Sequence, residues 1–167
     1  FAMATQAKPF WLIGTDTDAG KTVAAAWLVH HLGCAYWKPV QCGIDDSGGD
    51  TERLQGWINN PNACIHPPRY TFPGFCAPHR AAAEVQTVVR SDDFALPDRA
   101  KGLICMEAAG GIMVPWSDDA LWLDWAKDWG YPVVLVCRGG LGTINHTLLT
   151  IQALQLANIP ILSIMMN

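Results

Sequence analysis

Short apolar runs alternate with longer amphipathic segments along this chain. Residues 9–13 (PFWLI) form the first run and predict a buried strand, which leads through the glycine-bearing stretch 14–20 into residues 21–32, where alanine and leucine favour helix. A short strand is expected at 34–37, followed by a polar loop over 43–49 and a short helix that starts near Asp50. Prolines at 61, 67, 68, 73 and 78 predict irregular chain across 59–80. Further buried strands are expected at 102–107, ended by Gly110 and Gly111, at 132–137 and at 159–166. Between them, 118–129 predicts a helix with Leu121, Trp122, Trp125 and Trp129 on one face and Asp124, Lys127 and Asp128 on the other. That tryptophan stripe reads as core. Residues 143–157 predict a last helix with Leu148, Ile151 and Leu154 facing inward.

Strands alternating with helices predict an α/β fold, a mainly parallel sheet with helices on both faces in a three-layer α/β/α arrangement. A length of 167 residues suits one domain with its own core over 1–167, with Phe1 and Ala2 read as a remnant ahead of Met3. Half the residues are apolar and 16% are charged, which excludes disorder for the bulk of the chain. A net charge of -4 and the lack of any Lys/Arg run argue against nucleic acid and anionic membrane as partners. The longest apolar runs, 132–137 and 159–166, fall short of the ~20 residues that span a bilayer, so a cytoplasmic protein is expected. Six cysteines occur without a C-x-x-C pair, and Cys105 and Cys137 lie inside strand-like runs; reduced core thiols are the expectation.

In a parallel sheet, ligands bind beyond the carboxyl ends of the strands, so chemistry is sought just after each apolar run. Residues 14–22 read GTDTDAGKT. A loop closing in Gly20-Lys21-Thr22 at a helix start directs backbone N–H groups at phosphate, adds a lysine for the terminal phosphates and offers a hydroxyl to Mg²⁺. The strict P-loop spacing is missed by one place, since the first glycine is Gly14 rather than position 15. The fold is therefore expected to be P-loop NTPase-like. Mg²⁺ takes hard oxygen ligands, and two carboxylates stand at suitable ends: Asp50 after Gly48-Gly49, equally readable as a helix N-cap, and Glu107 after the run 103–106. Lys38, one of five lysines, ends the second strand ahead of Pro39, where a second ammonium suits a reaction that concentrates negative charge. Residues 138–146 (RGGLGTINH) form a glycine loop that opens a helix, read either as an anion site or as a flexible loop with Thr143 as N-cap. His79 and His146 carry no metal spacing, and His30 and His31 read as structural or surface.

These stretches resemble dethiobiotin synthetases, ATP-dependent enzymes that close a ureido ring in biotin synthesis. The matching segments, in order, are GTDTDAGKT at 14–22, WKPVQCG at 37–43, Asp50, APHRAA around His79, MEAAGG at 106–111 and LGTINHTLLT at 141–150, covering nearly the whole chain. The resemblance implies that 7,8-diaminononanoate, CO₂ (or bicarbonate) and MgATP give dethiobiotin, ADP and phosphate, through a carbamate and a carbamic–phosphoric anhydride. It further implies catalytic roles for Lys21, Lys38 and Thr17. ATP contacts are implied for Asp18, Ala19, Gly20, Lys21, Thr22, Val23, Asp50, Glu107, Ala108, Ala109, Gly110 and Asn167, the last toward adenine. Mg²⁺ is implied at Thr22, Asp50 and Glu107. Substrate would be met by Cys42 and, across a homodimer interface, by Leu141, Gly142, Thr143, Ile144 and Asn145.

Three features depart from the family pattern. Cys42 replaces a serine or threonine and makes weaker hydrogen bonds. Ala108 replaces a glycine where backbone approaches phosphate. The family usually continues beyond the asparagine at 167, so a natural short form or a truncated chain is expected, with looser nucleotide recognition. The alternatives are a partitioning-type ATPase, which usually carries an early loop lysine and an amphipathic tail; a cobyrinate-type amidating domain, which adds a glutamine-hydrolysing domain; and a non-catalytic paralogue.

Overall fold

The computed structural model describes residues 8–46, 48–58, 60, 63–97 and 102–167. Phe1 and Ala2, read above as a remnant, lie outside the described residues. The chain forms β1 (Phe10–Gly14), α1 (Lys21–Leu32), β2 (Ala35–Trp37), β3 (Val40–Cys42), α2 (Asp50–Trp57), β4 (Ile65–His66), β5 (Tyr70–Phe72), α3 (Pro78–Glu84), β6 (Ile104–Gly111), α4 (Trp122–Trp129), β7 (Val133–Cys137), α5 (Thr143–Leu156) and β8 (Ile161–Met166). Six strands make one sheet in the order β4-β2-β6-β1-β7-β8, every neighbouring pair parallel, while β3 and β5 pair separately and also in parallel.

The continuous apolar runs have a direct cause, because strands covered on both faces need apolar residues on both. In β1, Trp11 and Ile13 enter one core with Trp37, Ile104, Met106 and Leu135, closed by Ala81 and Ala82 of α3, Trp122 and Trp125 of α4 and Leu154 of α5. Phe10 and Leu12 enter the other, with Tyr36, Cys105, Val134 and Val136 beneath Ala25, Leu28 and Val29 of α1 and Leu54 of α2. The tryptophan stripe is core. Trp125 stands 5.1 Å from Trp11, 5.3 Å from Trp122 and 4.9 Å from Trp129, ring centre to ring centre. Its stacked and edge-on contacts follow the usual aromatic geometry.

Several expectations need correction. Residues 59–80 are not irregular throughout: they hold β4, β5 and the start of α3, with Pro78 in the first turn of that helix where its missing N–H costs nothing. The helix expected from 118 begins only at Trp122, because Asp124 Oδ2 accepts the Leu121 N–H at 2.8 Å and makes Leu121 the N-cap rather than a face residue. Leu148 points outward, 60% exposed, while Leu154 is buried and Ile151 half-buried. Helix α5 lies at the β7–β8 edge of the sheet and packs one narrow side against it, which leaves Ile144, Leu148 and Leu149 uncovered. The last strand is shorter than expected and its Leu162, Ile164 and Met166 are exposed. No helix among the described residues is long and apolar enough to cross a membrane.

Candidate functional site

The ends of β1, β2 and β6 converge with the N-termini of α1 and α2 around a cavity of about 710 Å³. Thr17, Asp18, Gly20, Lys21, Thr22 and Val23 line it from the glycine loop, Lys38 and Cys42 from the β2–β3 segment, Asp50 from α2, and Glu107, Ala109 and Gly110 from β6. Ala19 and Ala108 are buried behind these positions. The glycine loop is bent tightly: Gly20 has φ +89°, and a Cβ there would stand 2.1 Å from Asn167 Nδ2. Only glycine combines that backbone with that closeness. Asn167 Nδ2 donates to Ala19 O at 3.4 Å, so its side chain rests against the glycine loop. Leu141, Gly142, Thr143, Ile144 and Asn145 do not line this cavity; they open α5 at the far edge of the sheet. There Gly142 is the N-cap, so the N-cap reading of Thr143 fails, and the buried Thr143 Oγ1 makes no hydrogen bond.

Lys38 is the centre of the charged end. It is 5% exposed, forms an ion pair with Asp50 Oδ2 and donates to Glu107 Oε1 at 3.0 Å. Although it follows a strand end at a turn, its ammonium is buried between two carboxylates. Burial alone would depress its pKa, but the charges of Glu107 and Asp50 outweigh burial and hold it above the usual lysine value. At Asp50, burial pushes the pKa up, and the charge of Lys38 prevails and holds it below the usual carboxylate range. Lys21 is shifted down by burial, with Glu107 opposing and Lys38 adding repulsion; its Nζ donates to Asp16 O at 3.2 Å. Tyr36 donates to Glu107 Oε2 at 3.0 Å and so fixes that carboxylate from the sheet side.

Thr22 Oγ1 donates to Asp50 Oδ1 at 3.0 Å and lies 3.5 Å from Glu107 Oε1. A hydroxyl and two carboxylates converging beside a phosphate-binding loop are a donor set suited to Mg²⁺, which keeps water and phosphate oxygens in its remaining positions. No group of three or more His, Cys, Asp or Glu side chains placed to hold a metal ion occurs among the described residues. Cys42 is partly buried, and burial pushes its thiol up to about 12, with Lys38 pulling down and Cys76 pushing up. His79 Nδ1 lies 3.3 Å from Pro115 O, a backbone contact that accounts for one of the two ambiguous histidines.

Sequence reasoning missed Gln41, Gly43, Arg53, Trp57, Phe75, Cys76, Ala77, Pro78 and Val114, all on the cavity wall. Gln41 and Gly43 stand inside the WKPVQCG stretch, and Pro78 inside APHRAA, so those segments carried a signal. Arg53 could be found from its place three residues after Asp50, to which its Nη1 is 3.6 Å distant. Trp57 and Phe75 carried none.

Comparison with known proteins agrees with this arrangement. A family model described as an AAA domain matches residues 8–167. The ATP-dependent dethiobiotin synthetase of Paramagnetospirillum magneticum is 41% identical over 157 residues, which are 94% of this chain and 75% of that protein. That of Rhodopseudomonas palustris (strain BisB18) is 43% identical over 90% of this chain and 71% of its own length. The kinase domain of Escherichia coli tyrosine kinase ETK shares the fold alone, with a TM-score of 0.53 and 15% identity over 99% of this chain and 69% of that one. With the glycine loop, the buried lysine and both carboxylates at the sheet's carboxyl edge, and relatives this similar along nearly all of its length, the chain belongs to the ATP-dependent dethiobiotin synthetase family.

Proposed function

We propose that this chain uses MgATP to join CO₂ to 7,8-diaminononanoate and close the ureido ring of dethiobiotin, releasing ADP and phosphate. The observation that carries the reading is the buried Lys38, held between Asp50 and Glu107 beside Lys21 and Thr22. One substrate amine adds to CO₂ and loses a proton, giving a carbamate. A carbamate oxygen takes the γ-phosphoryl group from ATP, with ADP leaving. The second amine attacks the resulting anhydride carbon and loses a proton, and phosphate departs with the C–O bond pair.

Each step gathers negative charge in one place, and positioned cations lower its energy more than solvent water does. Lys21 and Lys38 supply two such cations with little reorganisation, because both are already buried and held. Thr17 stands at the cavity wall beside the transferring group, and backbone N–H groups of the glycine loop receive phosphate oxygens. Thr22, Asp50 and Glu107 would hold Mg²⁺, which supplies charge neutralisation on the phosphate oxygens when bound. The apolar wall of Phe75, Pro78 and Val114 meets the hydrocarbon part of the diamine, with Cys42 at its polar end.

The start of α5 is assigned to the substrate carboxylate. Its N-terminal backbone and the buried, unpartnered Thr143 Oγ1 support this, and its distance from the cavity within one chain makes a homodimer part of the proposal. The test is phosphate release from MgATP with and without diaminononanoate and bicarbonate. Release that requires both co-substrates supports the reading; release indifferent to them refutes it.

A further inference from the structure

We propose that Gln41 is a positioning residue that sets the backbone of Asp50, and through it the Mg²⁺ carboxylate, from the strand that ends at the substrate pocket. The inference rests on the reading of Asp50 as a metal ligand.

Helix α2 begins at an N-cap, Gly49, that has no side chain to accept a first-turn N–H. Two side chains, one of them from outside the helix, satisfy the N–H groups at this end. Glu52 Oε2 accepts from Gly49 N–H at 2.8 Å, reaching back from the same helix. Gln41 Oε1 accepts from Asp50 N–H at 2.9 Å, reaching across from β3. The Gln41 side chain is in turn fixed at its other end, because Nε2 donates to Cys42 O at 2.8 Å.

The amide is therefore used on both sides and has no solvent to rotate into: Gln41 is 3% exposed. Gly49 closes the fit. A Cβ built there would stand 2.7 Å from Gln41 Cδ and 2.9 Å from Oε1, so the loop backbone rests directly on the amide. A buried amide with neither end free is costly to misplace, since a misplaced end leaves an unsatisfied group. Asp50 consequently has its backbone held by Gln41 while its carboxylate meets Thr22 and Lys38. Glutamine at this place connects two parts of the cavity, the Cys42 strand end and the carboxylate at the start of α2, that no backbone hydrogen bond joins among the described residues.

The experiment measures ATP affinity calorimetrically with and without Mg²⁺, using the full chain and the nucleotide alone. The readout is the gain in affinity that Mg²⁺ confers. Gln41→Met keeps the volume and removes both hydrogen bonds; it is expected to reduce that gain about tenfold while changing metal-free ATP affinity less than about twofold. Gly49→Ala displaces the amide without removing it and is expected to act in the same direction. Gln41→Glu keeps an acceptor for the Asp50 N–H at a helix N-terminus that favours negative charge, and is expected to recover most of the gain. Should Gln41→Met fail to fold, Gly49→Ala and Gln41→Glu carry the comparison. An undiminished gain in Gln41→Met, or in Gly49→Ala, overturns the proposal. A uniform loss of ATP affinity with and without metal overturns it too, because it signals general loosening. Absence of any Mg²⁺ gain in the unaltered chain overturns instead the assignment of Asp50 as a ligand, and the inference falls with it.

Discussion

Replacing Lys38 by methionine removes one ammonium and little volume, and leaves Glu107 and Asp50 without the cation between them, with Arg53 still 3.6 Å from Asp50. Glu107 is fully buried and the Asp50 side chain is 16% exposed, so solvent softens the loss only in part. Removing one partner of a buried ion pair costs roughly 3–5 kcal/mol. For a domain of this size, about 1 kcal/mol lowers the melting temperature by roughly 2–4 °C, so a drop of the order of 10 °C is expected near neutral pH. The pH dependence follows from the shifts. Lys38 has its folded pKa raised, so its contribution is fully present below the unfolded value near ~10.4 and is lost as pH rises through the folded one. Asp50 has its folded pKa lowered, so its contribution is present above the unfolded value near ~3.9 and is lost as pH falls through the folded one. The contribution of the Lys38–Asp50 pair is thus flat across neutral pH.

In Lys38→Met, Asp50 loses the charge that holds its pKa down while burial still pushes it up, so the deficit against the native chain shrinks as pH is lowered from 8 toward 5. Millimolar Mg²⁺ is expected to restore part of the loss at pH 8, by supplying positive charge to the same oxygens. The assay is a set of thermal melts of both proteins between pH 5 and 8, each with and without Mg²⁺. A variant that melts within about 2 °C of the native chain at every pH would refute the reasoning, since it would mean that the cluster is solvated and the ammonium not needed to balance it. Turnover of the variant, read as co-substrate-dependent phosphate release, is expected to fall by several orders of magnitude in either case.

Three other outcomes are expected. Gly20→Ala combines a φ of +89° with a Cβ pressed on Asn167, and should weaken ATP binding at least tenfold by calorimetry; unchanged binding would show that the loop relaxes freely. The Cys42 thiol, pushed up to about 12, stays protonated at pH 8, so its alkylation by iodoacetamide, followed by peptide mass spectrometry, should rise about tenfold per pH unit between 8 and 10; a plateau below pH 9 would contradict that environment. Trp125→Ala opens the aromatic core and should cost roughly 3–5 kcal/mol in urea unfolding, with ATP affinity of the folded fraction retained.

What could be read along the chain, and what could not, divides by physical cause. Helix α1 runs over Lys21–Leu32 as its composition suggested, and the strands buried on both faces announce themselves as unbroken apolar runs. Strands β3, β4 and β5, of two or three residues each, were missed, because so short an element leaves no period and Pro67, Pro68 and Pro73 flank two of them. The outward turn of Leu148 was invisible because periodicity finds an apolar stripe and cannot say whether a neighbour covers it. At the site, Lys21, Thr22, Lys38, Asp50 and Glu107 were legible as residue types at strand and loop ends, and the structure brings them together. The burial of Lys38 was not legible. An ammonium's surroundings depend on which carboxylates the fold delivers from 12 and 69 residues away in the chain. Gln41 was equally silent, since a glutamine declares nothing until both ends of its amide have partners.

The aromatic core has an optical consequence. Six of the eight tryptophans, Trp11, Trp37, Trp116, Trp122, Trp125 and Trp129, sit ring against ring, close enough for excited-state energy to pass among them. Trp27 and Trp57 stand apart, each about half exposed, and Trp57 borders the nucleotide cavity. The intrinsic fluorescence is therefore divided into a blue-shifted population that reports the integrity of the sheet's α4 face and a red-shifted one in which Trp57, but not Trp27, borders the site. Unfolding and ligand entry are thereby written into separate parts of one emission spectrum, without any label.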